Sequence, residues 1–94
     1  MRIPLAKESL PVFDAIASTT RIDIINLLSK KRMNIKELAQ ALNLSSPVIA
    51  KHVRLLEEAG IIKTDRIPGK AGTQKQCVLK VDLIEVEFPR KVYP

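Results

Sequence analysis

Between Asn34 and Gly60 the chain carries enough local punctuation to fix two helices and the joint between them. Asn34-Ile35-Lys36-Glu37 reads as a capping box, in which the Asn34 side chain accepts from the backbone N–H three residues on and Glu37 reaches back to the cap. The helix that follows needs only Ile35, Leu38, Ala39 and Leu42 on its core face. Asn43 tolerates the left-handed conformation that ends it after about two turns. Leu44 is expected to plug the joint. Ser45 offers a new cap, and Pro47 sits in a first turn whose N–H groups are unpaired anyway. Gly60 is a C-cap glycine, so a longer helix runs over about 46–59.

The flanks complete the pattern. Upstream, Leu10, Phe13, Ile16 and Ala17 fall at three- and four-residue spacings and predict a short helix over 9–17 with those residues on one face. Ser18, Thr19 and Thr20 supply hydroxyl caps for a second, largely buried helix over 21–29, with Ile22, Ile25 and Leu28 flanked by Ile24 and Leu27. Lys30, Lys31 and Arg32 suit either the negative pole of that helix or a nearby phosphate. Downstream, strands over 61–66 and 75–81 bracket a glycine-rich, basic loop at 68–72. Ile84, Val86 and Phe88 alternate with Glu85 and Glu87 before Pro89, which predicts a last strand with one apolar face, an edge awaiting a second copy or a following domain. The fold class is therefore α+β and mainly helical: four helices, a β-hairpin and a C-terminal strand. Residues 1–81 read as one domain, and 82–94 as a strand or linker that can lead to an effector domain.

Two short helices separated by a turn of roughly three residues are a helix-turn-helix, the geometry in which the second helix is pressed into a DNA major groove. A hairpin directly after that helix is a wing, here with Arg66, Lys70 and Lys75 at its tip and shoulders, suited to phosphate or minor-groove contact. Sixteen basic against ten acidic residues leave a net charge of +6, which favours polyanions without choosing among them. With Phe13, Phe88 and Tyr93 as the only aromatics, no platform for stacking single-stranded bases exists. There is no carboxylate pair, no nucleophile beside a base and no glycine loop leading into a helix, so an enzyme is not expected. The N-terminal charge is followed by no long apolar run, which points to the cytoplasm and away from membranes.

Candidate contacts follow from helix periodicity. On 46–59, Ile49, Val53 and Leu56 face inward with Val48, Leu55 and Ala59 beside them. Ser46, Pro47, Ala50, Lys51 and Arg54 face outward, small first and basic further along, as entry into a groove requires. Ser46 can bond a base edge, Val48 or Ala50 can meet a thymine methyl, and Lys51 can reach a guanine or a phosphate. The alternative for Lys51 and Arg54 is an exposed helix paired with Glu57 or Glu58. His52 is either a phosphate contact or a partly buried helix histidine. Ser45 is an N-cap that can also hold a phosphate. Asn34 and Lys36 can touch backbone phosphate, although capping alone explains Asn34. Arg66, Lys70, Thr73, Gln74 and Lys75 read as wing contacts or as ordinary solvated charge, with Gly69 and Gly72 leaving the tip to be ordered by DNA. Cys77, beside Val78 and Leu79, is a small buried residue.

Thr20 to Leu28, Ile35 to Ala39 and above all Leu44-Ser45-Ser46-Pro47-Val48-Ile49-Ala50-Lys51-His52-Val53-Arg54-Leu55-Leu56-Glu57-Glu58-Ala59-Gly60-Ile61-Ile62 resemble ArsR-type winged helix regulators over roughly residues 12 to 81. The resemblance implies a DNA-binding fold and a dimeric repressor that answers a metal or another effector. Two departures matter. The helix from Ile35 to Leu42 lacks the Cys-x-Cys pair of metal-sensing relatives, and one Cys77 with one His52 cannot assemble a transition-metal site, so neither metal nor other cofactor is expected. No helix follows the wing, which leaves the dimer interface and effector site open. The expectation is sequence-specific binding of double-stranded DNA by a homodimeric regulator. A winged-helix protein-interaction module, using the exposed helix or the 84–88 edge, is the competitor.

Overall fold

Three of the four helices start at a side chain that satisfies an orphaned backbone donor. The computed structural model describes residues 1–69 and 72–90, with helices α1 (Leu10–Ile16), α2 (Thr19–Leu28), α3 (Ile35–Leu42) and α4 (Ser46–Glu58). Ser18 caps α2 by accepting from Arg21 N, and Ser45 caps α4 by accepting from Val48 N. The capping box on α3 is complete: Glu37 N donates to Asn34 Oδ1 at 2.8 Å and Asn34 N to Glu37 Oε1 at 3.0 Å. Asn43 closes α3 at φ 54°, ψ 46°, with Leu44 N–H bonded to the Ala39 carbonyl at 3.0 Å. Gly60 closes α4 at φ 77°, and Ile61 N–H returns to the Leu56 carbonyl at 3.0 Å. Both ends are Schellman motifs, and at the second the accompanying apolar pair, Leu56 and Ile61, is buried.

The core gathers Ile24 and Leu28 from α2, Leu38 and Ala39 from α3, Ile49, Val53 and Leu56 from α4, and Ile61, Ile62 and Cys77 from the start and end of the hairpin. Six of the expected inward positions lie outside. Helix α1, which packs against α4, buries Val12 and Ala15, not Leu10 (49% exposed). Phe13 is half-buried and Ala17 exposed. Helix α2 turns on the Ile24–Leu28 pair, and Ile22, about 200° around the helix from Ile24, is left 47% exposed. Val48 and Leu55 precede the buried Ile49 and Leu56 by one position each and are exposed for the same reason. Leu44 is exposed rather than a plug.

The hairpin, β2 (Ile62–Gly69) and β3 (Gly72–Leu79), is antiparallel from Ile62 opposite Leu79 to Gly69 opposite Gly72. It is longer than expected: Ile67, Pro68 and Gly69 belong to the strand. Pro68 fits because the strand has a free edge that needs no donor. At its base Cys77 exchanges hydrogen bonds with Met33, between α2 and α3, at 2.8 and 3.3 Å, adding one residue of a third strand. Of the expected last strand, Glu85–Glu87 forms (β4). It pairs in parallel with an N-terminal strand β1 (Arg2–Pro4), Arg2 opposite Glu85, so its partner is this chain's own beginning. Arg2 and Glu87 form an ion pair across this small sheet, and Ile3 and Ile84 pack against the core.

Candidate nucleic-acid interface

Three residues, Asn43 to Ser45, separate α3 from α4, and the wing follows α4 after Gly60 and Ile61. Ser45, Ser46, Pro47, Val48, Lys51 and Arg54 are all exposed on α4 or its cap, and Ala50 is half-buried. The period-two alternation of the hairpin places Ile62, Thr64 and Arg66 on one face with Cys77 and Lys75. Near the body this face is apolar and closes the core. Further out it turns cationic, and Arg66 stands directly opposite Lys75.

Helix α4 and the wing, with Ile35 of α3, border a groove of about 340 Å³ whose lining includes Ala50, Arg54, Glu57, Thr64, Arg66 and Lys75. Among the described residues the ion pairs are Arg2 with Glu87, Arg32 with Asp65 at 3.1 Å and Lys63 with Asp65 at 3.6 Å. None of Lys51, Arg54, Arg66 or Lys75 takes part, so the alternative pairing of Lys51 and Arg54 with Glu57 or Glu58 is not found. Asp65 instead ties the wing to Arg32 in the α2–α3 linker.

The remaining candidates are more dispersed. Asn34 uses its side-chain oxygen and its backbone N–H in the capping box, while Lys36 beside it is exposed. Gln74 is exposed opposite Ile67, and Thr73 stands opposite Pro68. Lys70 lies outside the described residues. His52 lies on the flank of α4 away from the groove, half-buried, with Arg21 Nη1 2.9 Å from its Nδ1. Burial, and then the Arg21 charge, hold its pKa below the usual 6.5. Burial followed by the Glu57 charge pushes the Cys77 thiol up to about 11, so it stays protonated and unreactive. No cluster of metal-ligating side chains occurs among the described residues.

Sequence reasoning missed Arg21, Glu57 and Thr64. Arg21 meets acceptors 6, 7 and 31 positions away, and no periodic signal announces such a contact. Glu57 and Thr64 join the groove only because the wing folds back beside α4.

A short helix pair with a two-stranded ribbon behind its second helix is a winged helix-turn-helix, and residues 18–63 match the family described as winged helix-turn-helix DNA-binding. The chain carries such a domain, and it is similar to those of ArsR family regulators. It is 39% identical over 54 residues, 57% of each chain, to an uncharacterized HTH-type transcriptional regulator of Methanocaldococcus jannaschii. It is 36% identical over 55 residues, 58% of this chain and 61% of the other, to the transcriptional repressor SdpR of Bacillus subtilis. The match thus spans about three fifths of these relatives' lengths. Among solved structures, an ArsR family transcriptional regulator superposes with a TM-score of 0.66 at 28% identity, covering 78% of this chain and 77% of the other. A homodimeric winged helix-turn-helix DNA-binding domain from Mycobacterium bovis superposes at 0.68 and 19% identity, covering 77% and 64%, which shows a shared fold.

Proposed function

We propose that the chain is a cytoplasmic transcriptional repressor that binds double-stranded DNA as a two-fold dimer, with α4 in the major groove and the wing on the backbone or minor groove. The observation that carries this reading is the set of four cations, Lys51, Arg54, Arg66 and Lys75, around α4 and the wing, which take part in none of the ion pairs among the described residues. Two of them oppose each other in the hairpin register, an arrangement that costs stability until an anion bridges it. Ser46, Val48, Ala50 and Lys51 are the proposed base-edge contacts. Ser45, His52, Arg66, Gln74 and Lys75, with Asn34, Lys36, Lys70 and Thr73, are the proposed backbone contacts. Arg54, at the mouth of the groove between helix and wing, serves the same backbone.

Exposed Leu5 and Leu10, with half-buried Phe13, surround an open apolar hollow of about 330 Å³ and offer a surface for the second copy. The repressor SdpR and the homodimeric M. bovis domain are consistent with the proposed sign and assembly. Residues 1–81 would be the DNA-reading unit, and 82–94 the segment toward any further domain. The β4 edge is a poor docking strand: three residues long, with Glu85 and Glu87 at its ends and Pro89 two residues beyond.

Selection of bound duplexes from a random pool tests the reading. A two-fold motif with half-sites about one helical turn apart is expected. Lys51→Ala should cost roughly 1 to 3 kcal/mol and relax preference at one position of each half-site. Enrichment of no sequence would refute specificity, and uniform weakening would move Lys51 to the backbone contacts.

A further inference from the structure

We propose that Arg21 is a positioning residue for DNA binding, holding the His52 imidazole as the Nε2–H tautomer with its donor free for a phosphate. The inference rests on the reading of His52 as a backbone contact. Its physical basis is the donor-only chemistry of the guanidinium. Arginine has five N–H donors, no acceptor, and does not lose its proton in proteins. A ring nitrogen 2.9 Å from Arg21 Nη1 therefore accepts, which puts the proton of the neutral ring on Nε2.

The guanidinium is itself anchored. Its Nε donates to the Ala15 carbonyl at 2.8 Å and its Nη2 to the Asp14 carbonyl at 2.9 Å, both in the last turn of α1, where a cation meets the negative end of the helix. Two points of attachment leave one prong of the fork for His52, so α1, α2 and α4 meet at one side chain. The result is a ring on the recognition helix that cannot swap its donor and acceptor without leaving Arg21 facing an N–H. Nε2 lies across the ring from Nδ1, and no side-chain hydrogen bond among the described residues uses it. A neutral donor held in one orientation suits a phosphate oxygen: it adds geometry to the charge that Lys51 and Arg54 supply, and it is not lost to screening as a free cation is.

His52 is the single histidine, so nitrogen NMR on the labelled full chain reads its tautomer without ambiguity. In the neutral-ring range the Nε2–H form should dominate in the parent chain, and Arg21→Met should give a mixture. On a random-sequence duplex long enough for two half-sites, His52→Ala should weaken binding about ten-fold, as loss of a hydrogen bond to a charged group predicts, and Arg21→Met should weaken it less, about two-fold per protomer if half of the rings carry the proton on Nδ1. His52→Gln carries an amide donor that needs no tautomer. It should keep most of the affinity, and adding Arg21→Met to it should change little.

If Arg21→Met does not fold, Arg21→Lys is measured in its place, since it keeps a charge at the α1 carbonyls and loses the fork. A folded Arg21 variant that retains both the Nε2–H tautomer and the parent affinity overturns the proposal. So does equal weakening by Arg21→Met in the parent and the His52→Gln backgrounds, which would make Arg21 a general stabiliser. Failure of the parent chain to bind duplex at all would instead strike the DNA-binding reading, with the tautomer still measured independently.

Discussion

Replacing Arg66 by Gln should push stability and DNA affinity in opposite directions. Arg66 faces Lys75 across the hairpin, and no described carboxylate pairs with either. If their charges splay to about 7 Å, Coulomb repulsion in water is roughly 0.6 kcal/mol, and a Debye length near 8 Å reduces it to about 0.25 kcal/mol. Arg66→Gln should therefore stabilise the free protein by a few tenths of a kcal/mol, read as a small rise in Tm that disappears at high salt. On DNA the same change removes one phosphate contact per protomer. Five cationic backbone contacts in each of two protomers, Lys36, Arg54, Arg66, Lys70 and Lys75, give a log–log salt slope of roughly −9 at about −0.9 each, and the variant should fall to about −7. Isothermal titration across a salt series measures the slope, and thermal unfolding measures the stability. A slope that does not change, or a variant that is clearly less stable, would refute the placement of Arg66 in an unneutralised cationic pair.

Other expectations concern single sites. Gly60→Ala should cost about 1 to 2 kcal/mol by chemical denaturation: a Cβ there meets Met1 Cε at an ordinary 3.5 Å, so the cost comes from φ +77° rather than from crowding. His52 has a folded pKa below 6.5, so the unfolded chain binds more protons just below that value. Its contribution is complete above 6.5 and is lost as pH falls toward the folded pKa. His52→Gln should flatten the Tm profile in that window, and an unchanged profile would assign the dependence elsewhere. Cys77, buried and with its thiol pushed up to about 11, should react with thiol reagents at neutral pH only as fast as the chain opens, so labelling should accelerate with denaturant.

What was legible in the sequence was what lies within a few residues of itself. Asn34 and Glu37, Ser45 and Pro47, Asn43 and Gly60 each act on backbone groups three to five positions away, and each stands where their chemistry placed it. Helix rotation was harder, because α1 and α2 each carry more apolar residues than one face can hold. Leu10 and Val12 are both good core residues, and only the packing of α1 against its neighbours, α4 among them, decides between them. The site divided along the same line. The cationic outer face of α4 was readable from period alone, but the like-charged register of Arg66 with Lys75 needed the true length of the hairpin. The binding of Arg21 to His52 and of β1 to β4 joins residues too distant in sequence for any local rule.

The parallel ladder between β1 and β4 also bears on the order of events in folding. The Met1 amine bonds the Leu83 carbonyl at 2.7 Å across 82 positions, so this sheet closes a very long loop for only a few hydrogen bonds. Such contacts cannot form early, because closing the loop is entropically unfavourable until the body between them is compact. They should also be the first to open, giving fast amide exchange at Ile3 and Leu5 while Ile49 and Val53 stay protected. The helix-turn-helix and its wing would then assemble as one cooperative unit, with β1 and β4 joined last.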